Sequence, residues 1–459
     1  MSEVICAAAS GGNVGAVALI RLSGDKAFEI ADKVFVAFNK IKVSQMQSHT
    51  CAYGKIVDAD NNRIDDVLLT TFVCPHSYTG ENVVEISCHG GLYVQKKIIR
   101  LCIENGAVMA TAGEFTKRAF LNGKLSLTQA EAVMDIISAD GERLLKSANN
   151  AREGRLYSFI SRCTKSLISL SADLAAWVDY PEDDLPDIEP DAFAKSLSLV
   201  LTDLETVIRG YNTGKMLKNG IYTAIVGKPN VGKSTIMNIL SGYQRSIVTD
   251  IAGTTRDVIE ETVRISENIV LRLCDTAGIR ETEDTVEKIG VTLAQKKADE
   301  CDLIIAVFDN STEMSEDDRR VLESLEKSKT VIIINKTDLE AKLDESEFSG
   351  FEDFQIIRCS AINDNSLLLL NNAIEKIIEQ LDISASTSSE MFLNERQLVC
   401  CNRAFDAVKR AYDDLMMGIS YDCITVTIDD AINALLELSG EKATEAVVSE
   451  VFSRFCVGK

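Results

Sequence analysis

The sequence GKPNVGKS at residues 227–234 restricts the fold of this chain more than any other feature. It matches the phosphate-binding pattern G-x-x-x-x-G-K-[ST], which is significant where a β-strand leads into an α-helix. A β-branched, apolar run at residues 221–226 precedes it, and a helical pattern follows at 235–240. The pattern therefore predicts a loop whose backbone N–H groups, together with a helix N-terminus, bind phosphate. Lys233 is expected to reach the β- and γ-phosphates, and the Ser234 hydroxyl is expected to bind Mg²⁺.

Strand-like and helix-like segments alternate from this loop to about residue 380. The strand candidates are residues 221–226, 270–274, 303–308, 331–334 and 355–358. Strands that alternate with helices are typical of a parallel, doubly wound α/β sheet. We therefore predict such a sheet for this part of the chain.

Three more motifs follow the ends of these strands, and together they predict the ligand. DTAG at 275–278 offers an aspartate that can hold Mg²⁺ through water and a glycine amide that can contact a γ-phosphate. In NKTD at 335–338, Asp338 can accept from N1–H and the 2-amino group of guanine, and Lys336 can lie along the base. Adenine lacks both donors and would leave a carboxylate unpaired, so guanine is selected. Backbone amides of CSA at 359–361 can face the guanine oxygen, and the four motifs predict a GTP site.

The segment GTTRD at residues 253–257 lies between the phosphate-loop helix and the next predicted strand. A threonine hydroxyl in this position can complete the Mg²⁺ shell only while the γ-phosphate is present. The segment is therefore predicted to act as a nucleotide switch.

Composition excludes several classes of protein. The net charge of −22 argues against broad, non-specific nucleic-acid binding, although a local basic patch or a partner could still hold RNA. No apolar run approaches the roughly 20 residues of a membrane span, and residues 1–10 show no signal-peptide pattern. The 13 cysteines are scattered without a C-x-x-C pair. Such a pattern, without a signal peptide, predicts reduced thiols in a cytoplasmic protein. The lack of a long apolar run predicts that the protein has no membrane partner.

The length of 459 residues corresponds to about three domains at roughly 150 residues each. We predict an α+β domain at 1–118, a helical segment at 119–215, the α/β domain at 216–383 and a second helical segment at 384–459. Helical regions on both sides of the α/β domain suggest that it is inserted into one helical domain.

Beyond the GTP motifs, the chain resembles the MnmE (TrmE) family of tRNA-modifying GTPases over essentially its whole length. The resemblance rests on RLSG at 21–24, SYTGE at 77–81, VEISCHGG at 84–91, GEFTKRAFLNGK at 113–124, QAEA at 129–132 and CVGK at 456–459. It implies an N-terminal α+β domain that binds tetrahydrofolate and dimerises, a helical domain in two segments, and an inserted Ras-like GTPase domain. It also implies a homodimer that acts with the flavoprotein MnmG (GidA) on tRNA. The implied reaction is GTP hydrolysis coupled to addition of an aminomethyl or carboxymethylaminomethyl group to position 5 of the wobble uridine.

The resemblance also implies the residues of the GTP site. The positions that match the family's nucleotide-binding residues are Asn230, Val231, Gly232, Lys233, Ser234, Thr235, Thr249, Asp250, Ile251, Ala252, Gly253, Thr254, Thr255, Asp275, Thr276, Ala277, Gly278, Asn335, Lys336, Asp338, Ser360 and Ala361. Ser234 and Thr255 match Mg²⁺ ligands, whereas Asn230, Thr249, Ile251 and Thr254 match ligands of K⁺. K⁺ would supply positive charge where other GTPases use an arginine finger. Lys233 would support catalysis, and Glu287 would orient the attacking water.

A second implied site binds 5-formyl- or methylene-tetrahydrofolate. The matching residues are Arg21, Glu85, Lys124 and Lys459, and Cys456 matches a catalytic-site cysteine. Cations suit the carboxylates of the glutamate tail, and a carboxylate can pair with the pterin amino group. These residues can meet only if the last helix, predicted at 442–455, docks its tail on an N-terminal domain of the same or another subunit.

Without the resemblance, these residues have ordinary explanations. Glu287, Arg21 and Lys124 would be solvated side chains, and Cys456 a small buried apolar residue. Two other functions remain open at this point. A ribosome-assembly GTPase switch predicts a basic RNA-binding domain, whereas this chain has an acidic helical region. The second is a folate enzyme whose GTPase domain is only regulatory.

Overall fold

A computed structural model describes residues 2–10, 14–139, 141–179, 189–241, 260–266, 269–274, 301–351, 353–361, 365–383 and 392–459. The chain forms two compact units. The first contains residues 1–137, 149–200 and 400–459, and the second contains 138–148 and 201–399. In the sequence, most of the second unit therefore lies between two segments of the first.

The N-terminal part of the first unit is a mixed sheet with helices, which confirms the α+β prediction. Its strands are β1 (Ile5–Ala8), β2 (Val17–Ser23), β3 (Phe35–Ala37), β4 (Thr50–Val57), β5 (Arg63–Phe72), β6 (Val83–His89) and β7 (Val108–Met109). Its helices are α1 (Ala27–Val34), α2 (Leu92–Glu104) and α3 (Glu114–Leu121). The sheet order is β3-β4-β5-β6-β2-β1-β7, and only the β1–β7 pair is parallel among these strands.

Alternating side chains explain how this sheet buries one face. Ile20 and Leu22 of β2 and Ile86 of β6 pack in one core with Ile30 of α1 and Ile98 of α2. The residues between them, which point to the other face, include a directly opposed pair, Arg21 of β2 and Glu85 of β6. The register of the two strands therefore brings a cation and a carboxylate together.

Four helices follow: α4 (Leu127–Ser138), α5 (Glu142–Arg152), α6 (Arg155–Asp179) and α7 (Pro190–Asn219). They confirm the helical character predicted for residues 119–215. Helix α7 continues past residue 215, where the helical segment was predicted to end, almost to the next strand. Residues 180–188, an acidic stretch that includes Pro181 and Pro186, lie outside the described residues.

The second unit contains a six-stranded sheet with the order β13-β12-β11-β8-β10-β9. Its elements are β8 (Ile221–Val226), α8 (Lys233–Ser241), β9 (Glu260–Ser266), β10 (Ile269–Cys274), β11 (Leu303–Asp309), α9 (Glu316–Glu323), β12 (Thr330–Asn335), β13 (Gln355–Arg358) and α10 (Asn365–Ile383). The five predicted strands are present and parallel. The expectation of an entirely parallel sheet is wrong at one edge, because β9 pairs antiparallel with β10.

Three helices complete the first unit: α11 (Glu395–Met416), α12 (Tyr421–Ser439) and α13 (Glu445–Ser453). Helix α12 lies along α6, where the Ser171 hydroxyl donates to Asp429 at 2.9 Å. Helix α13 packs on α4 through a cluster that includes Leu127, Val451 and Phe452. None of the described helices is both long and apolar enough to cross a membrane.

Candidate functional site

The phosphate loop occupies the turn between β8 and α8, as predicted. Gly227 and Gly232 have φ angles of +143° and +102°. A Cβ atom at Gly227 would overlap the carbonyl oxygen of Val307, and one at Gly232 would overlap the side-chain amide of Asn335. Both positions therefore require glycine for space as well as for backbone conformation.

Lys233 begins helix α8 and extends its side chain over this loop. Its ammonium group donates to the carbonyl oxygens of Gly227, at 2.6 Å, and of Lys228. Burial lowers the pKa of Lys233, because an ammonium ion loses hydration there. A phosphate oxygen beside the ammonium would offset this cost, so the arrangement suits an anionic ligand.

Asn335, at the end of β12, connects the phosphate loop to the last sheet motif. Its side-chain amide donates to the carbonyl oxygen of Val231 at 2.8 Å. Its carbonyl oxygen accepts from the Ala361 N–H at 3.0 Å. The side chain is buried, so one residue joins the two ends of the predicted nucleotide site. Ser360 is also buried. The Ala361 N–H, which was predicted to face guanine, donates to the Asn335 side chain in this structure.

The remaining residues of the base-recognition motif differ in exposure. Lys336 has φ of +61°, and its ammonium lies 2.6 Å from Asp309 Oδ2 at the end of β11. Burial opposes the charge on Asp309, but hydrogen bonds from Lys336 and Ser311 outweigh it, so the pKa of Asp309 is below its usual value. The Asp338 side chain is exposed and therefore accessible to a base.

Other predicted GTP-site residues divide into two groups. Asn230, Ser234 and Thr235 are exposed on the phosphate loop and on the first turn of α8. Their amide and hydroxyl oxygens are the hard donors that Mg²⁺ and K⁺ prefer. The predicted residues Thr249, Asp250, Ile251, Ala252, Gly253, Thr254, Thr255, Asp275, Thr276, Ala277, Gly278 and Glu287 lie outside the described residues.

A second group of predicted residues meets in the first unit, around Arg21. The Arg21 guanidinium contacts Glu85 Oε1 through Nε at 2.8 Å and through Nη2 at 2.7 Å. It also lies 5.8 Å from the ring centre of Tyr78 and 5.6 Å from that of Phe115. The two charged side chains are only 15% and 22% exposed, so this pair is partly shielded from water.

The C-terminal tail docks on the N-terminal domain of the same chain. The Gly113 and Phe115 N–H groups donate to the carbonyl oxygens of Cys456, at 3.4 Å, and Lys459, at 3.2 Å. Arg21 Nη1 donates to the Gly458 carbonyl oxygen at 3.4 Å. The structure thus brings the tail to Arg21, and the Cys456 side chain is exposed rather than buried.

Lys124 lies near this group but not within it. Its exposed ammonium donates to the Pro75 carbonyl oxygen at 3.1 Å. It lines a groove of about 450 Å³ together with His49, Phe72, His76, Ser77 and Tyr78. Tyr78 is common to the groove and to the surroundings of Arg21.

Sequence reasoning did not single out Tyr78, Phe115 or Asp309. Tyr78 and Phe115 fall inside the motifs SYTGE and GEFTKRAFLNGK, so those motifs were the available signal. Asp309 ends a strand that carried no recognised motif. Its role depends on Lys336, which directly follows the next strand, β12. No sequence pattern available here could have identified that pairing.

Comparisons with known proteins agree over the whole chain. Two family models match: "MnmE helical domain" at residues 127–456 and "GTP-binding protein TrmE N-terminus" at residues 4–124. The tRNA modification GTPase MnmE of Acetivibrio thermocellus is 41% identical over 462 residues, covering 100% of this chain and 99% of the relative. The protein of the same name from Bacillus subtilis is 37% identical over 448 residues, covering 97% of each.

Among solved structures, Era of Aquifex aeolicus bound to GDP and AlF4⁻ is 26% identical, covering 41% of this chain and 66% of that chain. Its TM-score of 0.26 is too low to support an argument. The family models and the full-length relatives are sufficient by themselves to assign the family. The chain belongs to the MnmE (TrmE) family of tRNA modification GTPases.

Proposed function

We propose that this chain is a K⁺-stimulated GTP hydrolase that acts with the flavoprotein MnmG (GidA). Together they would add an aminomethyl or carboxymethylaminomethyl group to position 5 of the wobble uridine of certain tRNAs. A tetrahydrofolate one-carbon unit, from the 5-formyl or methylene form, would supply the carbon. The names of the relatives support GTP hydrolysis and tRNA modification, and the finer chemistry is our proposal.

In the second unit, the phosphate loop would bind and orient GTP. The Lys233 ammonium, now on loop carbonyl oxygens, would turn to the β- and γ-phosphates. Asp338 would select guanine through its N1–H and 2-amino group. Ser234 with Thr255 would hold Mg²⁺, and Asn230 with Thr249, Ile251 and Thr254 would hold K⁺. K⁺ would add positive charge near the phosphates, and Glu287 would orient the attacking water.

In the first unit, Arg21 and Glu85 would recognise folate. Their mutual ion pair and the two aromatic rings fix the guanidinium before any ligand arrives. A group that is already positioned loses less conformational entropy on binding. Lys124 and Lys459 would pair with the carboxylates of the ligand, and the exposed Cys456 would lie near the one-carbon unit.

The docked tail is the observation that carries this proposal. It places Cys456 and Lys459 against the domain that contains Arg21 and Glu85, although more than 350 residues separate the two regions in the sequence. The phosphate loop belongs to the other unit. Folate chemistry and GTP hydrolysis therefore use different residues and should be separable.

Exposed apolar residues support a homodimer formed by the N-terminal sheet. Tyr53 of β4 and Leu68 of β5 are paired neighbours and are 55% and 49% exposed. Phe38, 53% exposed, lies 4.8 Å from Tyr53 between ring centres. Adjacent apolar side chains of this size on a sheet surface are typical of an interface. The net charge of −22 suggests that MnmG provides most of the affinity for tRNA.

The proposal can be tested in a strain that lacks the gene and carries wild-type, Lys233→Ala or Cys456→Ser protein. Mass spectrometry of tRNA should show loss of wobble-uridine modification with both variants. Purified Cys456→Ser should hydrolyse GTP at the wild-type rate, whereas Lys233→Ala should not. Normal modification with Cys456→Ser, or an equal loss of its GTPase activity, would contradict the separate folate site. Full modification in the deletion strain, with a ribosome-assembly defect, would favour the ribosome-assembly alternative.

A further inference from the structure

The groove beside Tyr78 has a composition that is unusual for this chain. Of the six described residues that line it, none is acidic, although the whole chain has a net charge of −22. The chain contains three histidines, and His49 and His76 both line this groove, together with Lys124. Imidazole and ammonium groups bind anions by donating hydrogen bonds. The groove is therefore chemically suited to a negatively charged ligand.

The Ser48 hydroxyl forms a hydrogen bond with the ring of His49. The Ser48 hydroxyl oxygen accepts from the Val73 N–H at 2.9 Å and lies 2.9 Å from His49 Nδ1. The serine hydroxyl can donate its proton to Nδ1, or it can accept from Nδ1 through its second lone pair. A neutral imidazole that accepts at Nδ1 carries its proton on Nε2. When His49 accepts from Ser48, or when both ring nitrogens are protonated, its Nε2–H is available as a donor to a ligand.

The other lining residues add donors and no negative charge. One N–H of the Lys124 ammonium donates to Pro75, and an ammonium has three such groups. Burial raises the pKa of Tyr78, with a hydrogen bond from Thr116 and the charge of Arg21 acting in the opposite direction, so the phenol stays neutral. Phe72 packs edge-on against His49, with 5.3 Å between ring centres, and supports the imidazole.

The position of the groove narrows the choice of anion. Tyr78 contacts Arg21 of the proposed folate site and also lines the groove, so the groove adjoins that site at this residue. The three donors come from separate segments: the turn before β4, the loop after β5 and the residues after α3. Dispersed donors fit a chain that carries several carboxylates better than they fit one compact phosphate.

We propose that this groove binds the γ-linked glutamate chain of a polyglutamylated folate, through His49, His76 and Lys124. The inference rests on the proposed folate-binding function and deepens it by naming the form of folate that is the substrate. Each carboxylate beyond the first glutamate would accept hydrogen bonds from the two imidazoles, and Lys124 would hold the first. The histidines then determine specificity for chain length, whereas Arg21 and Glu85 recognise the rest of the folate.

Calorimetry of the full chain with 5-formyltetrahydrofolate carrying one or five glutamates tests this inference. Wild-type protein should bind the pentaglutamate at least about tenfold more tightly, the equivalent of one net charged hydrogen bond. The double variant His49→Asn, His76→Asn should lose this preference and retain wild-type affinity for the monoglutamate. His89→Asn is a matched control, because His89, at the end of β6, pairs with Asp65 of β5 and is not one of the six described groove residues.

The outcomes separate the two hypotheses. Equal affinity of wild-type protein for both ligands would refute the glutamate-chain site and leave folate binding intact. This comparison uses wild-type protein alone, so it does not depend on whether a variant folds. Absence of binding to either ligand would refute the folate function and the inference together. Loss of the pentaglutamate preference in about 10 mM inorganic phosphate would show a general anion site and would also refute the inference. An equal loss of preference in His89→Asn would exclude a specific role for the groove histidines.

Discussion

Substitution of Gly458 by alanine should release the C-terminal tail without affecting the GTP site. Gly458 has φ of +98°, and a Cβ atom there would overlap the Ala8 carbonyl oxygen and lie 2.9 Å from its carbonyl carbon. Backbone atoms of a strand cannot yield as the end of a flexible side chain can. The tail itself must therefore move away from the N-terminal domain.

The expected size of the effect follows from the contacts that hold the tail. Gly113, Phe115 and Arg21 donate hydrogen bonds of 3.2–3.4 Å to carbonyl oxygens of the tail. At about 1 kcal/mol net for each bond, they stabilise docking by about 3 kcal/mol. A non-glycine residue in a disfavoured backbone region costs about 1–3 kcal/mol, and the overlap adds to this cost. Strain at the upper end of this range would by itself about halve the docked population. Each further 1.4 kcal/mol or so from the overlap with Ala8 would lower the docked population and the folate affinity by up to about another tenfold.

Gly106→Ala provides the control for backbone strain alone. Gly106 lies in the same unit with φ of +107°, and a Cβ atom there would meet no other atom within 4 Å. Calorimetry with monoglutamyl 5-formyltetrahydrofolate should show weaker binding for Gly458→Ala and near-wild-type binding for Gly106→Ala. GTP hydrolysis should be normal in both. Wild-type folate affinity in Gly458→Ala would refute the claim that the docked tail completes the site.

Three further predictions concern the second unit. Asp338→Asn should shift nucleotide preference from GTP toward xanthosine triphosphate, with a loss of about 2–4 kcal/mol for GTP; unchanged GTP affinity in calorimetry would exclude the guanine contact. GTP turnover should be about tenfold or more faster in KCl than in NaCl at equal ionic strength, because Na⁺ is too small for the site that includes Asn230; equal rates would remove the K⁺ hypothesis. Asp309→Asn should lower the urea midpoint at about pH 7, and the difference from wild type should shrink as the pH falls. Burial disfavours the Asp309 carboxylate, but hydrogen bonds from Lys336 and Ser311 hold its pKa below its usual value. The charged carboxylate therefore contributes fully to the free energy of unfolding above the unfolded pKa of about 3.9. This contribution is lost as the pH falls through the pKa of the folded state. A difference that stays constant down to about pH 2 would contradict this assignment.

Sequence patterns located the regular elements where local signals were strong. The strand at residues 221–226 was predicted with the bounds that the structure shows, and the helix predicted at 235–240 lies within α8. The last helix is shorter than its predicted range 442–455, because Thr444 caps it by accepting from the Val447 N–H. Gly440, with φ of +94°, ends the preceding helix. The Thr444 cap could be read from the sequence, but the predicted range followed the apolar spacing alone and was therefore too long.

The edge strand β9 shows why the sheet prediction was incomplete. Val263 and Ile265 are buried and alternate with polar residues, which is the pattern of a strand. The prediction assumed βαβ units, in which a helix separates consecutive strands. It therefore omitted β9, because β9 forms an antiparallel hairpin with β10 and such a hairpin needs no helix between its strands. For the sites, motifs located the phosphate loop, and the resemblance supplied Arg21 and Cys456. Their meeting depends on tertiary packing of α13, which no local pattern encodes.

The contact between Gly232 and Asn335 limits how this sequence can evolve. Asn335 fills the space that a side chain at Gly232 would need, and it also links the Val231 carbonyl to the Ala361 N–H. Any larger residue at Gly232 requires a smaller one at Asn335, and that change breaks both hydrogen bonds. A single mutation at either position is therefore a loss, and a double mutation does not repair it. Two motifs that are about one hundred residues apart in the chain thus share one evolutionary constraint.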